Sequence, residues 1–501
     1  MDDEGATMTG RAKIAMLPLI AIVAMAHVGS PNVFFDGDAG PYSVRVIVRP
    51  PMVVPGLADV VVRVPGTDVR AVTVRPVFLR VGAAGAPAGD LAEPVRGEPS
   101  TFTARLWLMR SGAYSVYVTV DGSRGSGTAV VPVMSVATGR LGVSPGLAAI
   151  LVALGAVLLI GLVTIIRAGA GESLVPPGKA PSPAQRRRAN LVTAVSIPAL
   201  ALVVFGGARW WKAVDRDYER TMFNPPALGS SIETLGDSAV LTVSTRDTTP
   251  GRTPLSAFIP DHGKMMHLFL VSASSSTMAH LHPALADSTT FRATLPPLPP
   301  GAYRAFADVT TEQGSTITLS GRVDLPTLPA GSSPDDLDDA WAIDRRAVTI
   351  GAGAADTIAP GIVMQWSGGA GPITAGRDTD LRFTVRDASG AIVTLQPYLG
   401  MAGHAVVTAD DGSVFIHLHP MGSVSPAVQR LFALRDRGDT TATGRLRLDD
   451  SSLAATTMAD MSMPGQLSFP YEFPKAGRYH IWVQLRHGGK LLTGAFTTEV
   501  R

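Results

Sequence analysis

The 501-residue sequence contains no cysteine. That absence removes disulfides, zinc fingers, iron-sulfur clusters, blue-copper thiolate centres and cysteine nucleophiles together, so any metal must be held by nitrogen, oxygen or thioether. Charge is also scarce: charged residues make up 17% of the chain and the formal net charge is +2. With no basic stripe outside one short loop, the expected partners include no nucleic acid. Glycine (52) and proline (39) are abundant instead. Together with valine-leaning apolar runs they favour many short strands divided by turns. At roughly 150 residues per domain, the length suggests about three domains. The expected fold class is mainly β, with three immunoglobulin-like β-sandwich domains plus two transmembrane helices.

Three apolar segments set the expected topology. The run over 14–26 follows Arg11 and Lys13 and ends in Ala24-Met25-Ala26, the small-x-small pattern read by signal peptidase. Residues 1–26 are therefore expected to be a signal peptide, or an uncleaved anchor given the acidic opening Asp2-Asp3-Glu4. Residues 147–166 carry no charge, and at 1.5 Å per residue they cover the roughly 30 Å hydrocarbon core. Residues 191–208 form a second span, interrupted by Pro198 and followed by the interfacial anchor Arg209, Trp210, Trp211 and Lys212. The loop between them, 167–190, sets Arg167, Lys179, Arg186, Arg187 and Arg188 against Glu172, as a cytoplasmic loop does. The expected localisation is the bacterial cytoplasmic membrane. On that topology the sandwich domains, 27–140, 225–335 and 345–501, stand on the extracytoplasmic (periplasmic) side.

Internal repeats carry the most information. Gly112-Ala113-Tyr114, Gly301-Ala302-Tyr303 and Gly477-Arg478-Tyr479 each precede an alternating strand near a domain's end. This entry pattern is that of a tyrosine corner, in which a buried phenol ties back to the chain. A longer repeat links the last two domains. DHGKMMHLFLVSASSSTMAHLHP (261–283) and YLGMAGHAVVTADDGSVFIHLHP (398–420) both contain H-x12-H-x-H-P. His267, His280 and His282 match His404, His417 and His419 without a gap.

Each repeat reads as a β-hairpin, an apolar run either side of a polar turn. Strand side chains alternate with period two, so His280 and His282 share a face, as do His417 and His419. The facing strand supplies the third imidazole. A turn centred near Asp410 and Asp411 places His404 opposite His417, and a shifted turn moves it toward His419. Each hairpin thus predicts an open all-nitrogen site for copper or zinc. Ten histidines occur in the chain and six occupy these matched positions, which random surface placement does not explain. Methionines near the hairpins (Met265, Met266, Met278, Met401, Met421) and the cluster Met458, Met461 and Met463 favour copper, because soft thioethers suit Cu(I). Met278 and Met401 also suit the core. Met461 and Met463, in a polar loop, and His480 join the candidate metal ligands, while His487 beside Gly488-Gly489 reads as a turn residue. His27 is left out, because no histidine between 28 and 146 could complete a site with it.

At H-x12-H-x-H-P in a membrane-tethered sandwich, the C-terminal half resembles the YtkA-like bacterial extracytoplasmic domains and, more loosely, the CopC-like copper-resistance proteins. The resemblance implies an immunoglobulin-like fold and copper handling outside the cytoplasm. The CopC-like N-terminal histidine site is not reproduced, and the Met461 cluster is shorter than those families' Met-rich loops. The expected function is copper storage, resistance or delivery, with an exported cuproprotein or a copper transporter as partner. Two alternatives stay open: a three-histidine metalloenzyme, for which no Asp or Glu beside the H-x-H pairs offers a general base, and an envelope scaffold. Ser425, Pro426 and Gly438 predict a capped helix, expected as a lid on its own sandwich.

Overall fold

The structure, a computed structural model, describes residues 27–28, 32–66, 68–176, 178–245, 255, 257–334, 336–441, 445–448 and 462–501. The expected signal segment 1–26, Met458 and Met461 lie outside them. The described chain is mainly β, and its long strands fall into three pairs of packed sheets.

The first pair sets a sheet built on Val33–Ala39, Tyr42–Arg49, Gly56–Arg63 and Glu98–Leu108 against one built on Val69–Phe78, Gly112–Gly122 and Gly125–Ser135. Its core is largely alternate valines, among them Val44, Val46, Val60, Val62, Val72, Val74, Val116, Val118 and Val131. β-branched side chains fill a pleated surface well, which is why valine dominates here.

Two helices follow, α1 (Pro145–Glu172) and α2 (Pro183–Thr221), both long and apolar enough to cross a membrane. They lie against each other, and Arg167 Nη1 donates to Asn190 Oδ1 at 2.8 Å. The helices are longer than the spans read from hydropathy. Arg186, Arg187 and Arg188 sit in the opening turns of α2, not in a loop, because Ser182 and Gln185 form a capping box with Pro183 at the first position. α2 ends beside the first sandwich, where Tyr218 Oη donates to the Gly139 carbonyl at 3.1 Å.

In the second sandwich a six-stranded sheet contains β1 (His267–Ser272), β2 (Met278–Leu281) and β3 (Gly301–Thr311). In the third, a six-stranded sheet contains β4 (His404–Ala409), β5 (Val414–Leu418) and β6 (Gly477–His487). One face of each sheet covers its own core: Leu268, Leu270 and Leu281 in one, Ala405, Val407 and Ile416 in the other. The opposite faces pack on each other through Phe269, Val271, Met278, Phe306, Val406, Phe415 and Trp482. These strands are buried on both sides, so their sequences read as nearly unbroken apolar runs.

The three Gly-x-Tyr copies share one geometry. Gly112, Gly301 and Gly477 adopt φ of 132°, 140° and 140°, a region open to glycine. Each phenol returns to backbone four residues upstream: Tyr303 Oη donates to the Pro299 carbonyl and Tyr479 Oη to the Lys475 carbonyl, both at 2.9 Å, and Tyr114 Oη accepts from Arg110 N at 3.2 Å.

The capped helix is α3 (Pro426–Arg437), with Ser425 Oγ accepting from Val428 N and Gly438 left-handed at φ 76°. It does not lie on its own sandwich. Leu431, Phe432 and Val428 pack with Val77, Leu79 and Ala113 of the first sandwich and Ile259 of the second. Its apolar stripe fits the gap between sandwiches, which turns an expected lid into a wedge.

Candidate metal centre

The two histidine hairpins do not form separate sites. β1 pairs with β2 so that Phe269 faces His280 and Leu268 faces Leu281, and β4 pairs with β5 so that Val406 faces His417 and Ala405 faces Leu418. This register sets His267 beside His282 and His404 beside His419, the shifted alternative rather than His404 against His417. The loop Asp410–Ser413 is a tight turn, with Gly412 N donating to the Ala409 carbonyl at 2.8 Å, which fixes that register. In both hairpins the histidines lie on the face turned toward the other sandwich. Face-to-face packing therefore merges the two triplets into one buried chamber, with His267 and His417 ring centroids 5.3 Å apart and His280 and His417 5.4 Å apart.

A seventh histidine, His262, completes the chamber at centroid distances of 4.6 Å from His419 and 5.8 Å from His404. It rides on a turn in which His262 and Gly263 take φ of 53° and 79°, and Asp261 and Lys264 exchange backbone hydrogen bonds at 2.9 Å. The matching turn over Tyr398–Met401 has the same form, with Leu399 at φ 50° and Gly400 at 79°. Because Leu399 holds the matched position, comparison of the two repeats does not reveal His262.

Two histidine triads could each hold an ion, His267–His280–His282 and His262–His404–His419, with ligand atoms within 4.8 Å of one another. Among the described residues a third group, His282, Asp336 and Asp339, also brings its ligand atoms within 4.8 Å of one another. In the first triad, one nitrogen of every ring already has an acceptor. His267 Nε2 faces the Asp261 carbonyl at 3.2 Å, His280 Nδ1 faces Gln484 Oε1 at 2.9 Å, and His282 Nδ1 faces Asp339 Oδ1 at 2.8 Å. Tyr398 Oη also approaches His280 Nδ1 at 3.2 Å while donating to the Asp338 carbonyl at 3.0 Å. Such outer partners fix the tautomer and leave the second nitrogen of each ring as an electron-pair donor. His282 Nε2 and His262 Nε2, both nitrogens of His404 and of His419, and His417 Nε2 are buried without a hydrogen-bond partner.

Burial, followed by the neighbouring histidines, holds His267 down at about 4 and His280, His282, His404 and His419 well below the ordinary imidazole value. His417 is lowered in the same way. These six rings are neutral at pH 7, the form that binds metals. Burial also raises two carboxyls in the wall, Asp308 to about 6 and Asp339 to about 7. Asp308 Oδ2 lies 3.6 Å from His417 Nδ1, and Asp308 Oδ1 accepts from Thr318 Oγ1 at 2.5 Å. A cavity of about 40 Å³ borders His267, His417, His419, Asp308 and Met265. A cleft of about 1230 Å³ reaches His417 and Asp308, with Met52, Met134 and Met222 in its wall.

The remaining expected ligands lie elsewhere. His480 shares a face of β6 with Trp482 and Gln484, but it pairs with Thr408 while Gln484 pairs with His404. Four residues of strand separate it from the chamber by about 13 Å, and its Nε2 bonds Asp410 instead. Met463 is in a short strand against Leu395 and packs on the third core, not in an exposed loop. Met421 packs against the first core, and Met266 is buried in the second. Met278 belongs to the sheet interface.

Residues 228–325 and 358–501 match one protein family, described as "Domain of unknown function (DUF8832)". No curated protein matches the chain. Among solved structures it is similar to a tetra-tandem repeat in the extending region of a large adhesion protein, at 9% identity, 93% of this chain, 82% of that one and TM-score 0.16. It is similar to E. coli alpha-2-macroglobulin at 8% identity, 93% and 23% coverage and TM-score 0.20. A putative membrane anchored protein from Corynebacterium diphtheriae gives 8% identity, 94% and 95% coverage and TM-score 0.16. At these TM-scores neither fold detail nor function carries over.

Proposed function

We propose that this chain is a membrane-anchored metal-binding protein that holds copper in the histidine chamber between its second and third sandwiches. The observation that carries this reading is the set of seven buried imidazole nitrogens without partners. Each would cost about 1–3 kcal/mol if left unsatisfied, and a bound cation relieves that cost for every nitrogen it takes. Neutral imidazoles suit both copper and zinc. The thioether of Met265 beside the chamber and those of Met52, Met134 and Met222 along the cleft favour copper, because they offer Cu(I) soft donors on its way in.

On this reading the sandwiches are immunoglobulin-like, stand outside the cytoplasm and resemble YtkA-like and CopC-like copper handlers. The ion is stored there, or passed to an exported cuproprotein or taken from a copper transporter. Metal analysis of the full-length protein in detergent, before and after copper and zinc titration, tests the proposal. Copper retained by the native protein and lost from a His267→Ala/His280→Ala/His282→Ala variant supports it. No metal above that variant rejects it, and a preference for zinc under competition rejects copper.

A second reading, a metalloenzyme, is favoured by Asp308, a part-buried carboxyl beside His417 and the small cavity that sequence spacing did not reveal. It supplies the proton acceptor that the H-x-H pairs lack. Turnover of oxygen or of a hydrolysable substrate by the metal-loaded protein, abolished in Asp308→Asn, distinguishes this reading from simple storage.

A further inference from the structure

The chamber is larger than one ion needs, and its donors are not arranged around one point. A copper or zinc ion takes about four to five ligands at about 2.0–2.1 Å, whereas seven imidazoles line this space. They divide by construction. His267, His280 and His282 come from β1, β2 and the residue following β2, all within the second sandwich. In the other triad, His404 and His419 come from the third sandwich and His262 from the second. His417 stands between them, its ring centroid 5.3 Å from His267 and 5.4 Å from His280 on one side, 5.2 Å from His404 and 4.7 Å from His419 on the other.

Resting on the metal-binding reading above, we propose that the chamber is a dinuclear centre, with one ion in each triad and His417 as a further ligand between them. The two positions are not equivalent. The first draws its three ligands from one sandwich, and outer acceptors already orient its rings, Asp261 and Asp339 behind His267 and His282 and Gln484 of the third sandwich behind His280. The second exists only when the third sandwich is docked, and its His404 and His419 lack outer partners in the described structure. The first position therefore fills first, and the second ion fastens the two sandwiches together.

Two further observations fit two cations better than one. Asp261 and Asp339 are buried in or beside the chamber wall, and Asp308 is part-buried there. Carboxylates placed around neutral imidazoles supply the negative charge that a pair of buried cations requires. The cavity of about 40 Å³ touches members of both triads, His267 and His419, together with His417 and Asp308. That space exceeds the about 10–15 Å³ that a water needs, so it has room for water or hydroxide beside members of both triads.

The test uses full-length protein in detergent, stripped of metal and reloaded with Cu(II). Tightly bound copper is counted per chain and the electron paramagnetic resonance spectrum is recorded. Saturation at two ions per chain with a magnetically coupled spectrum supports the proposal. Saturation at one ion with an isolated Cu(II) signal overturns it while leaving the metal-binding reading intact, and no bound copper overturns both. His404→Gln/His419→Gln is expected to bind one ion held by the first triad, and His267→Gln/His282→Gln one ion held by the second. Complete loss of copper from both folded variants means a single shared ion and overturns the proposal. If either variant fails to fold, the count and spectrum of the unaltered protein decide the matter.

Discussion

Nδ1 of His267 and Nε2 of His280 face each other at 3.1 Å, while the opposite nitrogen of each ring is engaged by the Asp261 carbonyl and by Gln484 Oε1. In that tautomer two lone pairs point at one another. The spacing is close to the edge of a tetrahedron with metal bonds of about 2.0 Å, about 3.3 Å. The pair is unfavourable when empty and well placed when a cation sits beside it.

The acceptors behind the rings should therefore matter nearly as much as the rings. Asp339→Ala removes the partner of His282 Nδ1 and of the His282 backbone amide. Loss of an outer partner weakens metal binding by about 10–100-fold. Competition against a chromophoric chelator measures this, and an unchanged affinity would show that His282 is not a ligand.

The metal-free protein should lose stability on acidification through the imidazole range. His267 has a folded value of about 4 against 6.5 unfolded, and five other chamber histidines are lowered in the same direction. Between those limits the unfolded chain binds more protons, so stability falls as pH drops from about 6.5 toward 4. Asp308 and Asp339, raised to about 6 and about 7, act with the opposite sign, since their contribution declines as pH rises through the folded values. Six groups against two leave the histidines dominant. The Tm of the metal-free protein, followed from pH 7 to 4, should fall steeply, and a flat profile would contradict neutral buried rings.

The sheet interface can be weakened without touching a ring nitrogen. Phe306 and Phe415 stack at 4.2 Å with an interplanar angle of 11°, and both are buried. Phe415→Ala should cost about 3–5 kcal/mol, as for other buried aromatics. It should also weaken the triad that spans both sandwiches more than the triad held by the second alone. Chemical denaturation measures the first effect and stepwise copper titration the second; equal weakening of both triads would show that docking does not build the second site.

Much of the fold was legible because its signals are local. Alternating valines, two uncharged runs, Gly-x-Tyr and the duplicated H-x12-H-x-H-P each lie within about twenty residues. The meeting of the two hairpins was not legible, since period two says only that His404, Val406 and Thr408 share a face. It does not say whether water or another sheet covers that face. The same limit misplaced His480, which has the right face of β6 but the wrong height. Met463 was misread because its polar neighbours hide a short strand against the third core. Asp308 and Asp339 were missed because their burial depends on packing far away in sequence.

His262 offers the sharpest check on the chamber, because sequence repetition argues against it. Its backbone sits at φ 53°, a conformation that asparagine adopts more readily than most residues. His262→Asn should thus preserve the turn between Asp261 and Lys264 while removing the imidazole. Its side chain is 6% exposed and Nε2 lacks a hydrogen-bond partner, so losing the ring removes an unsatisfied nitrogen but leaves a small cavity, and the metal-free protein's Tm should fall only slightly. In the metal-loaded protein one of three imidazoles is lost from the triad with His404 and His419. Copper affinity at that position should drop by at least 10-fold, about 1.4 kcal/mol, with the other position unaffected. Leu399→Asn at the matched turn tests whether any change in such a turn does the same. If the two variants behave alike, the effect belongs to the turn and His262 is no ligand; if only His262→Asn loses copper, the imidazole itself holds the ion.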